Sequence, residues 1–186
     1  DITDRKQTDQ RLRLENRSLK VLNDWYKTFG ASNTAPLRYG EICQILVRQG
    51  GYRLAWLGQV EKDTGRLLSI SGCGGFEGED LEPQKPVLAL AKRSQILVKA
   101  ALQSQQPIAI RNILTDPVYK TWRTEALKHR FNSFLVLPLV NGKDPLGVLV
   151  IYAEEPEAFI DQEVENLKIL SGELSQALAH QTGNPG

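Results

Sequence analysis

The chain has 186 residues, 23 of them basic and 22 acidic, for a net charge of +1. That balance gives no electrostatic footprint for nucleic acid and no polybasic contact for a membrane, and no apolar run approaches the ~18 residues of a spanning helix. Cys43 and Cys73 lie in separate predicted elements and fit neither a metal spacing nor a disulfide framework, so a cytoplasmic setting is expected, and the lack of any Met is expected of a piece of a longer protein.

Residues 1–30 read as one long helix. Leu12, Leu19 and Tyr26 recur at heptad spacing, as do Leu22 and Phe29. This a/d stripe points to a two-chain coiled coil; the competing reading is an amphipathic helix lying on its own domain. Arg11, Arg13, Glu15, Arg17, Lys20 and Asp24 fall on the other faces, and Gly30 would close the helix as a left-handed cap. A second helix over 37–49 turns Ile42, Ile45 and Leu46 inward and stops at Gly50-Gly51. Strands over 52–60 and 66–74 flank a tight turn at Lys62–Gly65. Gly72, Gly74 and Gly75 leave little side chain at the second strand's end, which suggests a bulge or a close approach to the backbone. The acidic stretch 76–86 reads as a solvated loop. A helix over 87–103 gathers Leu90, Leu97, Val98 and Ala101 on one side, a short strand covers 106–112, and Asp116-Pro117 opens a helix running to about His129.

The stretch 133–153 organises the rest. Phe134, Val136, Pro138 and Val140 alternate with Leu135, Leu137 and Leu139; beyond a turn at 141–144, Leu146, Val148, Val150 and Tyr152 alternate with Gly147, Leu149, Ile151 and Ala153. Both faces of both strands are apolar, so the hairpin belongs in the middle of a sheet covered on both sides. Gly142 suits the turn, and Pro138, with no N–H, argues for a bulge or an unpaired stretch. A last helix over 159–181 repeats the heptad at Val164, Leu167, Ser171, Leu174 and Leu178. Hairpins without βαβ alternation imply an α+β fold: an antiparallel sheet of five to six strands with helices on both faces. The first and last helices are expected to pack together. Three parts follow: a linker helix (1–30), the sheet and pocket (31–158), and a final helix with its tail (159–186).

No catalytic set is legible. His129 and His180 have no partner at triad or metal spacing, and no phosphate-binding loop of the GxxxxGK[ST] kind occurs.

These residues carry a resemblance. Gly51-Tyr-Arg-Leu-Ala-Trp-Leu-Gly58 is similar to the first strand of the GAF domains of bacterial sensor proteins. Asp116-Pro117, Trp122-Arg123, Ala126, Ser133 and Leu137-Pro-Leu139 resemble that family's helix-to-strand signature, and Gly147-Val-Leu149 with Phe159-Ile-Asp-Gln-Glu163 its last strand and helix. Asp1-Ile-Thr-Asp-Arg-Lys6 resembles the exit of a PAS domain. The resemblance implies a small-molecule pocket on one face of the sheet and dimer-forming helices on the other. Many relatives carry a bilin on a cysteine of the helix that here reads Thr124–His129, without cysteine, so no covalent bilin is expected. Trp56, Cys73, Phe76, Tyr119, Trp122 and Arg123 are the expected pocket wall, with Ser71 and Arg111 as polar contributors. The expected function is sensory. A ligand or neighbouring domain would bias the paired end helices of a parallel homodimer, formed through Leu12, Leu19, Leu22, Tyr26, Phe29, Val164, Leu167, Leu174 and Leu178. Those helices would drive an output domain such as a histidine kinase or diguanylate cyclase. The alternatives are a ligand-free spacer and a methionine sulfoxide reductase using Cys43 and Cys73.

Overall fold

The two strands that are apolar on both faces do lie inside the sheet. The computed structural model describes residues 2–29, 39–74 and 94–182. Its strands are β1 (Leu54–Val60), β2 (Leu67–Gly74), β3 (Ile108–Ile110), β4 (Ser133–Asn141) and β5 (Asp144–Ala153). They form one antiparallel sheet in the order β2-β1-β5-β4-β3. The helices are α1 (Ile2–Phe29), α2 (Tyr39–Gln44), α3 (Gln95–Ser104), α4 (Arg123–His129) and α5 (Asp161–Thr182). α2 runs on into a π-helical turn (Ile45–Gln49), and a 3-10 turn (Pro117–Trp122) precedes α4.

Alternation sorts the strand residues onto two dry faces. Ala55, Leu57, Leu135, Leu137, Leu149 and Ile151 pack with Val21, Leu22 and Trp25 of α1, Ile42 and Cys43 of α2, and Leu167, Leu170, Leu174 and Leu178 of α5. Leu54, Trp56, Phe134, Val136, Val150 and Tyr152 face the other way, under Val98 and Ala101 of α3, Ile113, Tyr119 and Phe131. A pleated strand sends successive side chains to opposite faces, so one sequence run feeds both cores.

Two irregularities differ from expectation in position. β1 and β2 pair without interruption from Leu54↔Gly74 to Gln59↔Ser69, and the register shifts at Val60↔Leu67, not at Gly72; Gly75 lies outside the described residues. Leu67 and Leu68 are adjacent and cannot share a face; Leu68 is the skipped residue and is 58% exposed. In the central hairpin Pro138 pairs with Val148, and the register shifts one step later, where Val140 meets Pro145. Pro145 has no N–H to give the ladder, and the Val140 N–H donates out of the sheet to Ser175 Oγ of α5 at 3.2 Å. β3 begins at Ile108, opposite Val136, so Pro138 lies on a stretch of β4 that β3 does not reach.

The first and last helices pack side by side, and they run parallel. Arg17 bonds Glu163, Asn166 bonds Ser18, and Tyr26 bonds Glu173, at sequence separations of 146, 148 and 147. A nearly constant separation is possible only if both helices advance in the same direction. The N-terminus of α1 and the C-terminus of α5 therefore point to opposite ends of one helix pair.

Candidate functional site

On the α3 side of the sheet, three polar groups are buried together. Trp56 of β1, Tyr152 of β5 and Ser94, just before α3, are each 0% exposed. Ser94 and Trp56 lie near enough to the Tyr152 hydroxyl to favour its ionised form, yet burial dominates and pushes its pKa up to about 12. No pair among the three reaches good hydrogen-bond geometry: Trp56 Nε1, Ser94 Oγ and Tyr152 Oη all lack a partner. Each such group costs about 1–3 kcal/mol of desolvation. Aromatic rings surround them. Phe134 stacks on Tyr152 at 5.2 Å, Phe131 lies 4.9 Å from Tyr152, and Tyr119 meets Phe134 edge-on at 5.7 Å. Tyr119 too is held near 12, by burial, then the charge of Asp116, then Tyr152. At neutral pH the cluster is an uncharged set of polar groups among aromatic rings. It holds no acid–base pair, and among the described residues no His/Cys/Asp/Glu group is arranged to hold a metal ion.

The expected wall is only partly gathered here. Trp56 and Tyr119 belong to this face. Arg123 opens α4 with a buried Nε that has no partner. Ser71 and Cys73 take register positions opposite Leu57 and Ala55, which serve the helix-covered face, whereas Trp56 pairs with Gly72. Arg111 is exposed, and its carbonyl accepts from the Glu157 N–H at 2.8 Å. Trp122 ends the 3-10 turn; its side chain and Phe76 lie outside the described residues. The sequence reading overlooked Ser94 and Tyr152. A tyrosine in a strand apolar on both faces was the available signal, because a buried hydroxyl requires a partner. A cleft of about 700 Å³ opens elsewhere, between Lys62, Thr64, Lys99, Gln103 and Lys143, but none of its lining residues is buried.

The opposite face holds a second polar node, between α1 and α5. Arg17 Nε donates to Glu163 Oε1 at 2.8 Å and its Nη1 to Glu155 Oε2 at 3.1 Å. The guanidinium stands 4.3 Å over the Tyr52 ring, and the Tyr52 hydroxyl donates to the same Glu163 oxygen at 2.5 Å. Burial, then the Glu163 charge, raises Tyr52 well above its ordinary pKa and keeps it a neutral donor. Burial also raises Glu163, against the pull of Arg17 and Tyr52. Glu163 lies in the first turn of α5 and is fully buried. Arg17 is drawn in with it, its side chain only 10% exposed.

The expected dimer stripe divides. Leu22, Leu167, Leu174 and Leu178 are core residues of the single chain, with Phe29 and Val164 packed against them. Leu12, Leu19 and Tyr26 stay exposed on α1, at 52%, 47% and 46%.

A family model described as GAF domain matches residues 39–179. No curated protein matches the sequence. Among solved structures, the chain is similar to the GAF domain of a phosphoenolpyruvate-protein phosphotransferase from Coxiella burnetii, at 18% identity and TM-score 0.60, covering 91% of this chain and 96% of that one. It is similar to the GAF domain of A. aeolicus nlh2 in an inactive state, at 18% identity and TM-score 0.62, covering 90% and 99%. It is also similar to a free methionine-R-sulfoxide reductase from Neisseria meningitidis in complex with its substrate, at 14% identity and TM-score 0.62, covering 89% and 91%. At such identities these likenesses establish the fold.

Proposed function

The chain belongs to the GAF domain family, and on that premise we propose that it is a regulatory module of a bacterial signalling protein. It binds a small molecule on the Trp56 face and relays its occupancy through α1 and α5. One observation carries this reading: the same sheet has unpartnered, fully buried polar groups on one side and the parallel helix pair on the other. A ligand that satisfies Trp56, Ser94 and Tyr152 in one conformation more than in another shifts the helix pair toward that conformation. Upstream, α1 continues from a PAS-type domain; downstream, α5 leads to an output domain such as a histidine kinase or diguanylate cyclase. A second copy of the chain packs against the exposed stripe Leu12, Leu19 and Tyr26, which supplies apolar surface at heptad spacing.

The module acts by binding and not by catalysis. Cys43 is buried in the core that α1, α2 and α5 cover, away from the Trp56 face, and position 73 pairs with Ala55. The test is a thermal-shift screen of the purified chain against nucleotides, amino acids and small acids. A ligand at about 100 times its Kd stabilises by about 2.7 kcal/mol. A raised melting temperature, abolished by Trp56→Phe, is the expected result. No rise across a broad panel would instead identify a ligand-free spacer.

A further inference from the structure

We propose that Arg17 is a latch: its contacts decide whether the second half of α1 is docked on the domain or released from it. The inference rests on the regulatory reading above for its purpose, but the latch itself is testable with no ligand present.

Arg17 stands where the docking of α1 begins. From Ile2 to Arg13, and at Asn16, every side chain that is described is exposed, whereas Ser18, Val21, Leu22 and Trp25 are buried. At this boundary one guanidinium ties α1 to three separate parts of the fold. Glu163 is in the first turn of α5, Glu155 is in the connection between β5 and α5, and Tyr52 leads into β1. The attachment is incomplete. Arg17 Nη2 and Glu163 Oε2 are buried without partners. A buried ion pair with unmet polar atoms is a poor source of net stability, yet removing one member leaves an uncompensated charge that must reach water. The ion pair therefore adds little to the apolar contacts of Val21, Leu22 and Trp25 that hold α1 down, while loss of one member strands a charge.

The latch is wired to the Trp56 face by short covalent and hydrogen-bonded steps. The N–H of Arg53, next to Tyr52, donates to the Tyr152 carbonyl at 2.8 Å. Glu155 follows Tyr152 by one short segment, and its carbonyl accepts from Ser133 Oγ at 2.7 Å. The Tyr152 backbone is therefore one hydrogen bond from the neighbour of Tyr52 and a short stretch of chain from Glu155. Spatial continuity alone does not establish coupling; a two-state element does.

Hydrogen exchange of the whole chain, read by mass spectrometry, supplies that test. In Glu163→Leu the Arg17 charge loses its principal partner. Amides from Ser18 to Phe29 should exchange at least about tenfold faster, with those of β1, β4 and β5 unchanged. Arg17→Met combined with Glu163→Leu should restore the original protection. Tyr52→Phe keeps the ring but loses the hydroxyl, and should give a smaller acceleration in the same segment; it carries the test if Glu163→Leu does not fold. Unchanged α1 exchange in the single variants, equal loosening of sheet and helix, or a double variant as loose as Glu163→Leu would each overturn the latch. Any of these leaves the ligand-binding proposal standing, whereas a panel without a ligand response removes that proposal and leaves the latch.

Discussion

Gly147 of β5 lies so close to Gly58 of β1 that a Cβ on it would stand 2.5 Å from the Gly58 carbonyl oxygen. The obstruction is backbone, which has nowhere to move without parting two central strands. Gly147→Ala is therefore expected to destabilise by about 1–3 kcal/mol, the usual cost of overpacking a well-filled core. Urea unfolding should show a lower midpoint at unchanged slope. A midpoint equal to the wild type would mean that β1 and β5 separate more easily than their register implies.

The hairpin that Gly147 belongs to was the most legible part of the sequence, and the reason is physical. Alternation with apolar residues on both faces leaves only a mid-sheet position, and β4 and β5 are both interior strands. The long first and last helices were legible for the same reason, through their periodicity. Heptad spacing at Leu22, Leu167, Leu174 and Leu178 did not reveal which partner they face, because a helix buries the same stripe against its own sheet as against a twin. Arg17 was unreadable as a buried residue: charge places a side chain on the surface unless its partner is known, and Glu163 lies 146 positions away. The polar cluster was half legible. Trp56 is conspicuous, while Ser94 gains its meaning only when the start of α3 packs over the face that holds Trp56 and Tyr152.

The divided stripe separates two substitutions that the heptad alone would treat alike. Leu19 is 47% exposed, and Leu174 is fully buried in the core. If the proposed dimer forms through this stripe, Leu19→Glu together with Leu12→Glu should leave the fold intact and give a monomer by light scattering where the wild type gives a dimer; a monomeric wild type would overturn the dimer. Leu174→Glu should instead unfold the chain, since truncation alone at such a site costs about 2–5 kcal/mol and a buried unpaired charge costs more. A Leu12/Leu19 double variant that remains dimeric would move the contact between copies off α1.

The buried trio predicts a division between stability and binding. Ser94→Ala removes a hydroxyl that has no partner within the protein. Its loss should leave the urea midpoint unchanged or raise stability by up to about 1 kcal/mol, because a desolvated, unbonded group is a cost and not a contact. The same variant should weaken any ligand found in the thermal-shift screen. Clear destabilisation by Ser94→Ala, in the ligand-free protein, would indicate that the hydroxyl is already satisfied and that the cluster is an ordinary core network.

Tyr152 should also set an alkaline limit to stability. Burial holds its hydroxyl near pKa 12, against an ordinary value of 10, with Ser94 and Trp56 pulling weakly the other way. The folded chain therefore keeps this proton when the unfolded chain has released it. Stability falls with rising pH wherever the native state binds more protons. The sign follows: the contribution is whole below pH 10 and is lost as pH climbs through 10 toward 12, by at most about 2.7 kcal/mol. At pH 11.5 the loss relative to pH 9 should be about 2 kcal/mol greater in the wild type than in Tyr152→Phe, as measured by urea unfolding of both at each pH. General repulsion among other groups at high pH acts on both proteins and cancels in the comparison. Equal losses in the two would mean that the Tyr152 hydroxyl meets water, and the face that carries Trp56 would then be open where the fold closes it.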